Sequence, residues 1–225
     1  MNMLYPDSLA LTLDALNEAY FFQRPVSESH KEQAAEWVAG RQGKPGSYAN
    51  MFAPTDDDYS GGIRLFTGER VHSKAATGHI LGEEGCRALI LLEVHSTGVD
   101  DALRRASLGM TSRLGTSDRL SGTYCCRTCT PALWRHLAVG GLEDGETWLS
   151  AGMSTLKSRR DGGGRWRTFP FYYTLLALSE VDLPSAVEEM RYASQVCQRY
   201  LRRSPKDDRS SQRRHALVEK VLARC

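Results

Sequence analysis

The 225-residue chain carries 29 Lys and Arg against 27 Asp and Glu, a formal net charge of +2, and 41% of its residues are apolar. A chain of this length buries one full-sized core, so a single domain over residues 1–225 is expected. The small charge excludes bulk attraction to nucleic acid or to an anionic membrane, and no stretch approaches the ~18 consecutive apolar residues of a spanning helix.

The first residues lack the basic and then purely apolar regions of a signal peptide and carry Asp7 and Asp14 instead. That points to the cytoplasm, where the six cysteines are thiols. Apolar positions Leu9, Leu13, Leu16 and Tyr20 predict a helix over 8–22, with Ser8 as N-cap and Pro25 beyond its end. Ser27 opens a second helix to about residue 40, completing a first hairpin over 8–40. Residues 41–73 are rich in Gly, Pro and Asp, yet carry anchors such as Tyr48, Phe52 and Phe66. A loop this long with so many apolar side chains is expected to pack back on the body.

Helices resume near residue 74. An apolar helix runs to Val94, and a partner covers about 98–114. The polar stretch 115–123 reads as a loop, and apolar 129–139 then pairs with amphipathic 142–158. A glycine-rich turn leads to apolar 171–181, and Pro184 starts a helix to about 202. Residues 204–225 hold a short C-terminal helix with Leu217, Val221 and Leu222 on one side. The apolar helices end at Val94, Val139 and Val181, 45 and 42 residues apart, and residues 74–203 therefore read as repeats. Helix pairs at this period belong to stacked or ring-closed α/α architectures. The expected fold is all-α: stacked helical hairpins with inner apolar and outer amphipathic helices.

The segment LKSRRDGGGRW followed by FPFYYTLLAL, from Leu156 to Leu178, resembles the repeat of terpene cyclases and prenyltransferases. Arg41 to Tyr48 looks like a degenerate copy of the same turn. Apart from the family, Gly162 to Gly164 permit the positive φ of a tight turn, and Trp166 plugs a seam. The resemblance implies an α/α toroid, with helical repeats of the HEAT type as the competing architecture. About four hairpins fall short of the six or so that close such a ring, so the chain forms an open arc or closes as a homodimer. It also directs attention to Asp56, Asp57 and Asp58, because cyclases of this type use an Asp-x-Asp-Asp acid. Here the three carboxylates are one residue out of register, and a solvated turn or helix cap is the plainer reading. The zinc-binding Asp-x-Cys pattern of protein prenyltransferases has no clear match.

Chemistry-bearing clusters lie elsewhere. Cys126-x-x-Cys129 has metal-ligand spacing, and His136 shares a helix face with Cys129, so zinc is one reading of the three. Buried structural thiols and a redox or nucleophilic cysteine are the others. His79, Glu83 and Cys86 follow helical spacing on the preceding inner helix and could add ligands. Trp134, Trp166, Phe171, Tyr172 and Tyr173 either fill the core or line a surface for an apolar or isoprenoid-like ligand. Glu83 and Arg87, near an inner-helix start, form a polar site or a salt-bridge collar. The function classes are a concave module binding an apolar ligand or peptide, a cyclase- or prenyltransferase-like enzyme, and a HEAT-like scaffold for nucleic acid or protein.

Overall fold

The computed structural model describes residues 2–204 and 206–225, the side chain of Ser117 excepted. Eleven helices and one short hairpin account for the ordered elements among these residues, so the protein is all-α, as its periodicity predicts. The chain divides into two compact units. Unit 1 comprises the residues up to Arg64, Arg70–Gly115 and Val139–Glu143, and unit 2 comprises Leu65–Glu69, Thr116–Ala138 and Asp144–Cys225.

In unit 1, α1 (Leu9–Phe21) begins at Ser8, whose hydroxyl accepts the N–H of Leu11. α2 (Glu28–Ala39) begins at Ser27, which caps His30 in the same way. The stretch expected as a packed loop holds α3 (Asp56–Ser60) and a minimal hairpin, β1 (Ile63–Arg64) with β2 (Arg70–Val71), in which Ile63 pairs with Val71. α4 (Lys74–Leu92) is the central helix of the unit, packed by α1, α2, α3 and α5 (Thr97–Arg113).

What lets the irregular stretch sit so close to α4 and α5 is glycine. A Cβ on Gly82 would come within 2.6 Å of the Met51 side chain, and one on Gly85 within 2.7 Å of the Phe52 ring. On α5, a Cβ at Gly109 would lie 2.1 Å from the carbonyl oxygen of Ala49. Ala49 and Asn50 are both left-handed, with φ of 48° and 58°, at a cost of roughly 1–2 kcal/mol each. Met51 and Phe52, which they deliver, are completely buried. Burial of side chains this size is worth about 1.5–3 kcal/mol apiece, enough to hold the strained loop in place.

Unit 2 contains α6 (Thr116–Ser121), α7 (Thr130–Ala138), α8 (Gly145–Ser158), α9 (Phe171–Leu178), α10 (Pro184–Leu201) and α11 (Arg209–Ala223). α6 lies in the polar stretch expected as loop. α9 is the core helix: seven of its eight residues are buried, and α7, α10 and α11 pack on it. The pairs α7–α8 and α9–α10 pack as the hairpins the repeat implies. Between α8 and α9, Arg160 bridges to Trp166, and Gly162 and Gly164 take φ of 86° and 90°. The Asp161 carboxylate accepts from the N–H groups of Gly163 (2.7 Å) and Arg165 (3.0 Å). Trp166 closes the turn by donating its Nε1–H to Glu189 at 2.8 Å, while Arg160 grips the same carboxylate with two hydrogen bonds. A comparable bridge, Gln42 to Phe52, follows α2 in unit 1, in the stretch that resembles a degenerate copy of this turn.

The five residues Leu65–Glu69 belong to unit 2, although both strands of the hairpin that flanks them belong to unit 1. Arg213 donates to the Phe66 carbonyl at 3.1 Å, Arg214 to that of Thr67 at 2.5 Å, and the Tyr173 N–H to the Glu69 carboxylate at 3.1 Å.

Candidate functional site

The clearest chemical grouping within one unit is the turn Cys125-Cys126-Arg127-Thr128-Cys129 that leads into α7. Its backbone is already helical before the helix proper, because the N–H groups of Cys129 and Thr130 both reach back to the Cys126 carbonyl. Cys126 thereby opens a turn just ahead of α7, whose first residue is Thr130. Its sulfur accepts the Cys129 N–H at 3.4 Å, the place a serine or aspartate oxygen takes at an ordinary helix start.

Local contacts fix this turn firmly. The Thr130 hydroxyl accepts from the Tyr124 N–H at 3.1 Å and can donate to the carbonyl of Cys126 (2.9 Å) or Tyr124 (3.1 Å). Trp134, on the next turn of α7 and fully buried, donates its Nε1–H to the Gly122 carbonyl at 2.7 Å. Gly122 is left-handed, and a Cβ there would meet the backbone nitrogen of Gly152 on α8 at 2.0 Å. Thr155 of α8 adds a hydrogen bond to the Ser121 carbonyl at 2.6 Å. The thiol turn is therefore anchored to two helices. Its one strained residue is Cys125, at φ 55°.

The three sulfurs differ in environment. Cys125 is exposed, Cys126 is half-buried, and Cys129 is buried. The Cys126 and Cys129 sulfurs are 3.0 Å apart, and the sulfurs of Cys125 and Cys129 lie within 4.8 Å. The hydrogen bond from the Cys129 thiol brings the Cys126 pKa down to about 5 against the opposing effect of burial, helped by the N–H groups of Cys129 and Thr128 and by the Cys125 thiol. Cys129 moves the other way, held protonated by its hydrogen bond to Cys126 and by burial. One sulfur is thus a ready thiolate, and its neighbour is the proton donor that keeps it so.

The other predicted residues take different places. His136 is fully buried on α7 but is not among the donors gathered around Cys129. Seven residues of helix separate the two by about 10 Å of rise, so sharing a face does not bring them together. Asp58 is buried in unit 1, and its carboxylate accepts from the Ser8 hydroxyl (2.7 Å) and from the N–H groups of Leu9 (3.0 Å), Ala10 (3.2 Å) and Thr55 (2.9 Å). Asp56 and Asp57 are exposed in the first turn of α3.

Trp134, Trp166, Phe171 and Tyr173 are buried and Tyr172 half-buried. Trp134 stacks on Phe169 and Trp166 on Phe171, and Arg165 and Arg214 lie over Phe171 and Tyr172. Glu83 and Arg87 are buried on α4, where Arg87 donates to the Asn17 side chain at 2.8 Å and Asn17 in turn to Glu84 at 3.1 Å. Sequence spacing had flagged the Cys126–Cys129 pair. Cys125 obeys no spacing rule, because it simply adjoins Cys126; it is left-handed, and its sulfur lies within 4.8 Å of that of Cys129.

No family model, curated protein or solved structure matches this chain. Among the described residues, no helix is long and apolar enough to cross a membrane. What the fold and the site define is an all-α protein carrying a clustered cysteine turn at a helix start.

Proposed function

We propose that the protein is a dithiol–disulfide exchange protein acting through Cys126 and Cys129. The observation that carries this reading is the half-buried Cys126 sulfur, which accepts the Cys129 N–H and lies 3.0 Å from the Cys129 sulfur. The Cys126 thiolate attacks one sulfur of a substrate disulfide, forming a mixed disulfide and expelling a thiolate that takes the Cys129 proton. The Cys129 sulfur then attacks Cys126, giving the Cys126–Cys129 disulfide and releasing the second substrate thiolate to be protonated by water. A half-buried attacking thiol backed by a buried resolving thiol suits this order. A reducing cytoplasm fits a protein whose six cysteines are free.

The test is a redox titration of the whole chain with mass mapping. A reversible Cys126–Cys129 disulfide should form at a potential of about −270 to −120 mV, the span of exchange-active pairs. Cys129→Ser should trap a mixed disulfide with a small aromatic disulfide at Cys126. Failure to trap it, or oxidation elsewhere first, overturns the reading.

Zinc is a second reading, favoured by the Cys125 and Cys129 sulfurs, which lie within 4.8 Å of each other in one turn. Stoichiometric zinc in protein purified under reducing conditions, lost in Cys129→Ala, would support it. The hairpins α7–α8 and α9–α10 and the turn closed by Trp166 support reading unit 2 as repeats of the terpene cyclase and prenyltransferase type. In that reading the buried, mutually stacked rings are the repeat's core, and they give no support to an apolar ligand among them.

A further inference from the structure

We propose that the face of unit 2 on which the 161–166 turn lies against α10 binds single-stranded nucleic acid. The inference goes beyond thiol exchange and uses none of the cysteines.

Charge is unevenly placed along the chain. Residues 157–225 carry 15 Lys and Arg against 8 Asp and Glu, whereas residues 1–156 carry 14 against 19, so the net +2 conceals a basic segment and an acidic one. Five of the eight acids are already engaged. Glu180 pairs with Arg135, Glu188 with Lys157 and Glu189 with Arg160, while Asp161 accepts from its own turn and Asp208 from the first turn of α11. Arg165 and Arg199, by contrast, are exposed and have no carboxylate partner among the described residues.

Aromatic rings are interleaved with this charge. The Arg165 guanidinium lies 4.3 Å from the centre of the Phe171 ring, and that of Arg214 lies 4.5 Å from the centre of Tyr172. Tyr172 meets Phe171 edge-on at 5.1 Å and Tyr200 at 5.4 Å, so these groups form one patch. α10 extends it. The Tyr192 hydroxyl donates to the Asp161 carboxylate at 3.0 Å and accepts the Gly162 N–H at 2.8 Å, and a Cβ on Gly164 would meet the Val196 side chain at 2.8 Å. The turn therefore lies along the Tyr192–Val196 side of the helix. Arg199 follows Tyr192 at i+7 on that side, and exposed Arg203 at i+11.

The chemistry of the patch selects its occupant. A guanidinium packed over a ring leaves its outer side to another planar group, and Arg165 is exposed; the half-buried rings of Tyr172 and Tyr200 offer part of a face each. Nucleobases stack on arginine and tyrosine with little regard to sequence, and exposed arginines beside the stack take the phosphates. In a duplex the base faces are covered by their neighbours, so the strand that fits is single. An anionic membrane would use the same charge but also take up apolar side chains. The exposed large apolar residues, Leu11, Leu108 and Leu120, all lie outside 157–225.

The experiment is fluorescence anisotropy of the full chain with labelled dT and rU strands of about 20 nucleotides and a duplex of the same length. Both single strands should bind more tightly than the duplex. Between about 50 and 200 mM NaCl the log–log salt slope should be about −2, roughly three phosphates at ~0.7 each. Arg165→Gln and Arg199→Gln should each weaken binding several-fold and flatten the slope by about 0.7. Arg165→Lys should keep the slope and still lose on the order of 10-fold, because the charge stays and the stacking surface goes. Lys44→Gln, exposed in the acidic segment, should bind as the wild type does. No binding at about 50 mM salt, a preference for duplex, or unchanged affinity and slope in both glutamine variants overturns the inference. So does tighter binding to phosphatidylserine vesicles that is lost in Arg165→Gln, which would give this face to a membrane.

Discussion

Asp58 accepts a 2.7 Å hydrogen bond from the hydroxyl of Ser8, fifty residues earlier in the chain, and the pair ties the starts of two helices together. The same carboxylate takes the first N–H groups of α1 and completes the capping box of α3 with Thr55.

Asp58→Ala should therefore destabilise the protein by about 2–4 kcal/mol, two caps at roughly 1–2 kcal/mol each. Asp56→Asn and Asp57→Asn, at exposed positions, should shift stability by no more than about 0.5 kcal/mol. Urea denaturation of the three variants checks this. Equal effects at all three positions would remove the structural account of Asp58.

Gly109→Ala should cost on the order of 2 kcal/mol or more, because its new methyl meets the Ala49 carbonyl at 2.1 Å and backbone has to move. Gly98→Ala, also in α5 but with nothing within 4 Å, should gain up to about 1 kcal/mol. Opposite signs at two glycines of one helix, read by thermal melts, test the seat of the 48–52 loop.

Cys126 has a folded pKa near 5, below the ordinary thiol value of 9. Its contribution to stability is therefore present above the unfolded pKa and is lost as pH falls through the folded one. The stability gap between wild type and Cys126→Ser should widen from pH 5 towards pH 9. Iodoacetamide labelling should reach half its maximal rate at Cys126 near pH 5. Labelling of Cys126 that rises only near pH 9 would contradict this.

His79 is pushed down to about 4, mainly by burial and then by Arg113. The unfolded chain binds this proton more readily, so stability falls as pH drops from about 6.5 to 4. His79→Gln should flatten that part of the pH profile, and the His79 ring resonances should show no titration above pH 5.

Glu189 holds both Arg160 and Trp166. Glu189→Leu leaves a half-buried guanidinium and a buried indole N–H without their acceptor, and should cost about 3–5 kcal/mol. Lys157 and Glu188 form an exposed pair one residue away, and Glu188→Gln should cost under 1 kcal/mol. Chemical denaturation distinguishes them.

Much of this was legible in the sequence where the determinants are local. Ser8, Ser27 and Pro184 mark their helix starts because caps and N-terminal prolines act within one turn. Gly162 to Trp166 announces its turn for the same reason, and Cys126 and Cys129 meet because three residues of a first helical turn bring them together. Determinants that lie far apart in sequence were not legible. The partner of Asp58 is fifty residues away, so a run of three acids could not reveal which one caps α1. His136 shares a face with Cys129, but periodicity reports direction and not distance. The hairpin of β1 and β2 has two residues per strand, too few for any alternation to show. The exchange of Leu65–Glu69 into unit 2 depends on Arg213 and Arg214, and no composition shift marks it.

That exchange has a consequence for how the chain is made. During synthesis Phe66 and Thr67 leave the ribosome long before Arg213 and Arg214 exist, so their carbonyl acceptors face water until the partner 147 residues further on has been made. Unit 2 can close only after α11 has been made, and a nascent chain stalled anywhere before residue 213 would carry an unfinished core with α9 still uncovered on its α11 side.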